Sequence, residues 1–124
     1  MNYVANSEVP LFVQIASKIE ENIFLGIYED NTQIPSTTEL SVGYKINPAT
    51  VLKGMNLLVE NSIIYKKRGI GMFVCEGARE IIREKRLKSF NQSYIVPLVA
   101  EAKKLSFSNE EIINMIIEEE KKWN

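Results

Sequence analysis

The stretch that decides the fold is residues 46–62, INPATVLKGMNLLVENS. Asn47 is a favourable N-cap, because its side-chain oxygen can accept a hydrogen bond from a free backbone N–H of the first turn. Pro48 suits the first helical position, where its missing N–H costs nothing. One apolar stripe follows at the helical spacing i, i+3, i+4 and i+7: Val51, Gly54, Met55 and Leu58. The sequence therefore predicts a half-buried helix over 47–61.

The opposite face of this helix shows four residues with no acid among them. Its residues are small, polar or basic, with one leucine among them: Ala49, Leu52, Lys53 and Asn56. Lysine donors match guanine acceptors, an asparagine amide matches adenine, and an alanine methyl can touch the methyl group of thymine. We interpret Ala49, Lys53 and Asn56 as candidates for base edges in a DNA major groove. Asn47 is a fourth candidate, although it suits the cap better.

A second, shorter helix precedes this one. Residues 36–39, STTE, have the pattern of a capping box, in which the Ser36 hydroxyl and the Glu39 carboxylate each accept from the other residue's backbone N–H. The helix is predicted to end near Tyr44, with Leu40 and Tyr44 turned inward and a turn at 45–46. Two capped helices this close together are typical of a helix-turn-helix.

The first turns of the two helices offer hydroxyl groups that could bind DNA phosphates. Such contacts position a protein on DNA without reading its sequence, and helix N-terminal N–H groups favour anions. The candidates are Ser36, Thr37, Thr38 and Thr50, with Pro48 beside them at the start of the 47–61 helix. Ser36 could instead serve only as the cap, and the two roles are compatible.

Residues 63–74 predict a small β-hairpin. Two short apolar runs, 63–67 and 72–74, flank a glycine-bearing turn at 68–71. An arginine beside a flexible glycine at the tip, here Arg68 and Gly69, can enter a narrow minor groove, where the electrostatic potential is most negative. Lys66 and Lys67 alternate along the strand, so only one of them can face the phosphates; Lys66 joins the tip as the candidate.

Further helices are predicted on both sides of this core. The first covers residues 10–25 and ends at Gly26. After residue 76, a long helix over 78–104 should kink or divide at Pro97, because proline removes a backbone hydrogen bond.

The last helix, over 109–122, follows a second capping box at 108–111. Its apolar face is broader than one partner helix can cover, which predicts self-association of the tail. The predicted fold is mostly α with a small β-hairpin wing. It combines a winged helix-turn-helix DNA-binding domain over 1–75 with a two-helix dimerisation tail over 76–124.

Composition and charge limit the function. The chain has no histidine and one cysteine, Cys75, so the usual general base and the usual zinc ligands are missing. We therefore expect no enzyme, no metal site and no cofactor. No apolar run approaches the ~20 residues of a bilayer span, and the start lacks a signal pattern, which predicts a cytoplasmic protein without a membrane partner.

The net charge of −1 argues against nucleic-acid binding, because nucleic-acid-binding domains are usually basic. Residues 1–75 carry 7 acidic and 6 basic side chains, so the predicted reading domain is nearly neutral. Bases outnumber acids by 8 to 3 only between residues 65 and 88. We therefore expect modest DNA affinity per subunit.

Several motifs, in this order, resemble the GntR-type winged-helix domain: PLFVQI at 10–15, IPS at 34–36, EL at 39–40, INPATV at 46–51 and RGIGMFV at 68–74. The resemblance covers about residues 9–75. The short tail and the Asn-Pro start of the 47–61 helix are most similar to the YtrA branch. That branch implies a bacterial repressor, dimeric through its tail, often of transporter operons.

The chain departs from the family pattern at several contact positions. Thr38, Pro48 and Leu52 stand where family members often carry arginines, and Met72 replaces the usual threonine of the wing. The operator therefore cannot be transferred from better-known relatives.

Residues and resemblance together predict a homodimeric repressor on an inverted-repeat operator in double-stranded DNA. The 47–61 helix would lie in the major groove and the 66–72 wing in the minor groove. The alternative is a protein-interaction module without specific DNA binding, which the near-neutral domain permits. A third interpretation places an unknown small-molecule effector between the tail helices near Phe90 and Tyr94, although core packing explains these rings better.

Overall fold

The computed structural model describes residues 8–123, so residues 1–7 of the predicted DNA-binding domain and residue 124 of the tail lie outside the described residues. The chain forms two compact units, of which the first ends at Glu84 and the second begins at Lys85. The elements are α1 (Leu11–Phe24), α2 (Thr37–Tyr44), α3 (Pro48–Glu60), β1 (Ile64–Lys67), β2 (Gly71–Val74), α4 (Ala78–Phe90), a π-helical turn (Asn91–Ile95), α5 (Val96–Lys104), α6 (Asn109–Glu120) and a 3-10 turn (Lys121–Trp123).

Helices α1 and α3 pack against each other at the centre of the first unit. The predicted stripe of α3 is buried, and it meets the isoleucines Ile15, Ile19 and Ile23 of α1 within one apolar core. A Cβ atom added at Gly54 would lie 2.7 Å from the Phe12 carbonyl oxygen. Gly54 is therefore the residue that lets the two helix backbones approach this closely.

The wing is the antiparallel pair β1–β2, residues 64–74, in which Ile64 lies opposite Val74 and Lys66 opposite Met72. The loop at residues 31–34 runs along the other edge of β2. Its backbone groups form three hydrogen bonds with that strand: Asn31 N–H to Val74 O at 2.8 Å, Val74 N–H to Thr32 O at 3.0 Å and Ile34 N–H to Met72 O at 2.9 Å. This loop is thus joined to the outer edge of the hairpin, with Gln33 in an isolated antiparallel bridge to Phe73.

Helix α2 differs from its prediction on the inward face. Leu40 is half-buried against the core, but Tyr44 is 40% exposed, so its predicted inward orientation is wrong. The buried residue is Ser41, whose hydroxyl donates to the Ile46 carbonyl at 2.6 Å. The helix ends at Tyr44 and is capped by Lys45 in the left-handed conformation, with φ of 54°. Tyr44 is the last residue of α2, and its ring lies at the surface rather than in the core.

Helix α4 begins inside the core of the first unit. Ala78 and Ile82 have no exposed surface and belong to the same apolar cluster as the α1–α3 contact. The first compact unit thus extends past residue 75, where the sequence places the domain boundary.

The second unit contains the predicted break in the long helix. The helical chain passes through the π-helical turn, where the Val96 N–H donates to the Asn91 carbonyl, and Pro97 stands in the first turn of α5. A proline ring clashes with the carbonyl four residues earlier, and a wider turn relieves that clash. The break therefore lies one turn before Pro97.

The last helix of the second unit starts with the predicted capping box. The Glu111 N–H donates to Ser108 Oγ at 3.1 Å. The helix ends at Glu120 and tightens into a 3-10 turn, whereas the prediction extended it to residue 122. Among residues 8–123, no helix has both the length and the apolar character needed to cross a bilayer.

Candidate nucleic-acid interface

The start of α2 is a complete capping box. The Glu39 N–H donates to Ser36 Oγ at 3.0 Å, and the Ser36 N–H donates to Glu39 Oε1 at 3.3 Å. Ser36 is therefore a cap, as predicted, and its hydroxyl proton stays available for an acceptor such as a phosphate. Thr37 is half-buried and Thr38 is exposed in the same turn. The Glu39 carboxylate lowers the positive potential of this helix end.

The predicted reading face of α3 is open to solvent. Its exposed members are Pro48, Ala49, Leu52, Lys53 and Asn56, while Thr50 is half-buried. Asn47 is the N-cap, since its Oδ1 accepts from the Ala49 N–H at 2.8 Å. The Asn47 side chain is thus already engaged with the backbone through its oxygen, and its NH₂ group remains to donate to another partner.

Lys53 is held in place by an aromatic ring. Its ammonium nitrogen lies 4.3 Å from the ring centroid of Phe12 in α1. A cation over an aromatic face is attracted by the ring quadrupole, so the lysine is directed toward the α1 side of α3. The spacing within α3 carries no signal for a partner in another helix, so the sequence alone does not predict the role of Phe12.

The tip of the wing is a tight turn. The Ile70 N–H donates to the Lys67 carbonyl at 2.9 Å, and Gly69 has a φ of +78°, which favours glycine. Arg68 and Gly69 are both exposed at this tip, as is the side chain of Ile70.

The two wing lysines lie on opposite faces of the hairpin. Lys67 shares a face with Phe73, and its ammonium nitrogen lies 4.8 Å from that ring's centroid; the Tyr65 ring stacks on Phe73 at 5.7 Å. Lys66 is exposed on the other face, opposite Met72. Lys67 is thus packed against the wing itself, and Lys66 is the lysine of the pair without that ring contact.

The loop before α2 contributes contacts to the wing that the sequence does not predict. The Gln33 side-chain amide donates to the Ile70 carbonyl at 3.1 Å, and the Tyr65 hydroxyl donates to Asn31 Oδ1 at 3.3 Å. A weak signal was the pair of glycines around Ile70, since such a tip requires support from elsewhere in the fold.

The same loop also binds the start of α4. Asp30 Oδ2 accepts from the Gly77 N–H at 3.1 Å. Burial raises the pKa of the neighbouring Cys75 thiol, and the Asp30 carboxylate adds to the increase. Cys75 is therefore a poor nucleophile at neutral pH.

The predicted site residues all belong to the first unit, in which α2 and α3 pack together and α3 contacts β1. Three exposed features thus share one small domain: the capped start of α2, the polar face of α3 and the glycine-tipped wing. Within residues 8–123, no three His, Cys, Asp or Glu side chains come together where a metal ion could bind.

Known proteins are similar to this chain in sequence and architecture. The model of the gntR family of bacterial regulatory proteins matches residues 11–74. A crystal structure of a GntR-family regulator from Bacteroides thetaiotaomicron is 34% identical, covers 91% of this chain and 98% of its own, and superposes with a TM-score of 0.74. The repressor YtrA of Bacillus subtilis is 31% identical over 65% of this chain and 62% of its own length.

A structure with bound DNA is also similar. The DNA-binding domain of AraR, in complex with the operator ORX1, is 26% identical, covers 60% of this chain and 93% of its own, and has a TM-score of 0.55. The chain spans between 26% and 89% of the length of the curated relatives that it matches. Because the family model covers more than half of the sequence, the chain belongs to the gntR family of bacterial regulatory proteins and is a DNA-binding transcription regulator rather than an enzyme.

Proposed function

We propose that the chain is a cytoplasmic, homodimeric repressor that binds an inverted-repeat operator, with α3 in the major groove and the wing in the minor groove. The observation that carries this proposal is the combination, within one small domain, of exposed Ala49, Lys53 and Asn56 on α3, none of them acidic, with a capped α2 and an arginine-bearing wing tip. The AraR domain, which has a similar fold, is bound to operator DNA in its crystal structure.

Specific recognition would come from α3. Lys53 suits a guanine edge, Asn56 suits adenine, and Ala49 suits a thymine methyl. The Phe12 ring already orders the Lys53 side chain in the free protein, so Lys53 would lose less conformational entropy when it binds a base. Leu52, exposed to 45%, adds an apolar contact on the same face.

Positioning on the phosphate backbone would come from the helix starts and the wing. The hydroxyls of Ser36, Thr37, Thr38 and Thr50 stand in first turns, where free N–H groups favour anions. Arg68, Gly69 and Lys66 supply the wing contacts. The small number of cations predicts modest affinity for each subunit.

The second unit supports self-association. Helices α5 and α6 leave an open groove of about 320 Å³ between them, lined largely by apolar side chains that include Leu98, Leu105, Phe107, Met115 and Ile116. Phe90 and Tyr94, for which the sequence favours core packing, are exposed to 53% and 65% in the single chain.

Exposed apolar surface of this extent indicates an interaction site. A second copy of the tail is the occupant that we propose, because a two-fold dimer would present two α3 helices to the two halves of an inverted repeat.

The test is fluorescence anisotropy with DNA from upstream of the protein's own gene, over a salt series, with random DNA as the control. Binding to the upstream DNA alone, saturating at two subunits per site, is the expected result. Arg68→Ala should weaken binding and lower the salt slope by about one. Equal, weak binding to both DNAs would favour the protein-interaction alternative, and recovery of binding with added metabolites would favour the effector interpretation.

A truncation after Glu84 tests the dimer separately. It keeps Ala78 and Ile82 in the core of the first unit, so the shortened chain should fold but bind the operator far more weakly than the full chain. Operator affinity equal to that of the full chain would refute dimerisation through the tail.

A further inference from the structure

We infer that Gln33 is the positioning residue that fixes the wing tip for contact with DNA, an inference that rests on the proposed function. Gln33 lies outside the hairpin, in the loop before α2, and it is the side chain from that loop that binds the tip.

The Gln33 hydrogen bond is made at the part of the wing whose backbone has the most conformational freedom. Gln33 Nε2 donates to the Ile70 carbonyl at 3.1 Å, and Ile70 stands between Gly69 and Gly71, whose φ angles are +78° and +152°. Glycines have the largest backbone entropy, so a tip built from two of them is mobile unless something holds it. The Ile70 N–H is bound to Lys67 O. The residue at the tip is thus held through both of its backbone polar groups.

The loop that carries Gln33 is itself anchored. Backbone hydrogen bonds to β2 flank Gln33 on both sides, at Thr32 and at Ile34. Ile34 is buried in the core at 2% exposure, and the α2 cap at Ser36 follows two residues later. Gln33 therefore fixes the wing tip relative to the start of the helix-turn-helix.

The wing is shaped to accept this amide. A Cβ atom added at Gly71 would lie 2.5 Å from Gln33 Nε2, so any larger residue there would displace the side chain. Gly71 thus has a second role besides its backbone angle, which is to leave room for Gln33.

If Gln33 only stabilised the fold, its removal would have a small effect that does not depend on Arg68. An exposed hydrogen bond adds little to the stability of the whole domain. By contrast, a tip that is already ordered binds more tightly, because less conformational entropy is lost on binding. A positioning role acts through the wing contact, and its effect should vanish when Arg68 is removed.

The test is a double-mutant cycle measured by operator binding. Gln33→Met keeps the length and charge of the side chain but removes the amide, and it should weaken binding about three- to tenfold. In an Arg68→Ala background the same change should cost less than about twofold. Gln14→Met is the matched control, since Gln14 Nε2 also donates to a backbone carbonyl, that of Val9 at 3.0 Å; it should not couple to Arg68. Equal losses from Gln33→Met in both backgrounds, or no loss, would overturn the inference.

A second measurement separates this inference from the proposed function. Backbone ¹⁵N order parameters of Gly69, Ile70 and Gly71 in the free protein report the order of the tip without any DNA. They should fall in Gln33→Met and stay unchanged in Gln14→Met. If the unmodified chain fails to bind upstream DNA, the proposed function fails. Unchanged order parameters in Gln33→Met overturn the role of Gln33, whatever the binding result.

Discussion

Replacing Gly54 by alanine tests the closest contact in the first unit. Alanine is favoured over glycine inside a helix by about 1 kcal/mol, so propensity alone predicts stabilisation. The new Cβ atom, however, would lie 2.7 Å from the Phe12 carbonyl oxygen and 3.4 Å from the Ile15 side chain. The first contact is with backbone, so α1 as a whole must shift. Overpacking of this kind costs about 1–3 kcal/mol, and we expect net destabilisation of about 1 kcal/mol.

Gly43→Ala is the matched control. Gly43 is also helical, in α2, but a Cβ atom there meets nothing within 4 Å. That variant should gain up to about 1 kcal/mol from propensity. Urea unfolding followed by circular dichroism should therefore give a free energy of unfolding below that of the unmodified protein for Gly54→Ala and above it for Gly43→Ala. If Gly54→Ala stabilised the protein as much as Gly43→Ala, the close approach of α1 and α3 would be refuted.

Three further predictions concern the local structure. Ser36→Ala should lower the free energy of unfolding of the first unit by about 1 kcal/mol and weaken operator binding. Ser108→Ala removes the equivalent cap of α6 in the second unit, so it should leave the unfolding of the first unit unchanged. Lys45→Gly should stabilise the protein by about 0.5–1 kcal/mol in thermal melts, because it relieves a left-handed φ of 54°; a lower melting temperature would contradict this. Cys75 should react with iodoacetamide at pH 8 more slowly in the folded chain than in urea, because burial and Asp30 raise its pKa and so reduce the thiolate fraction. The difference should narrow as the pH rises, and equal rates at pH 8 would contradict the raised pKa.

The parts of the fold that the sequence predicts well are set by neighbours along the chain. The caps at Ser36, Asn47 and Ser108 each bind a backbone N–H within three residues. The buried stripe of α3 follows from helical spacing, and the hairpin follows from its glycine-bearing turn. Local chemistry determines these features, so a single sequence is enough to identify them.

The features that the sequence did not predict depend on distant parts of the chain. The Gln33–Ile70 bond joins residues 37 positions apart, and the ring under Lys53 belongs to another helix. Whether Tyr44 is buried depends on which residues of other elements cover the end of α2, and its position within the helix does not reveal this. Periodicity describes one helix at a time and carries no information about such partners.

The π-helical turn in the second unit also sets the phase of the tail. Each residue in an α-helix advances by about 100° around the axis, and the wider turn at Asn91–Ile95 holds one residue more than an α-turn would. Deleting one residue there would turn Leu98 and every later side chain of α5 by about 100° relative to Leu87 in α4. Residues of the tail must therefore be assigned to helix faces separately before the turn and from Val96 onward. If the sequences of two related tails were aligned without regard to this turn, residues that lie on different faces of the helix would be matched with each other.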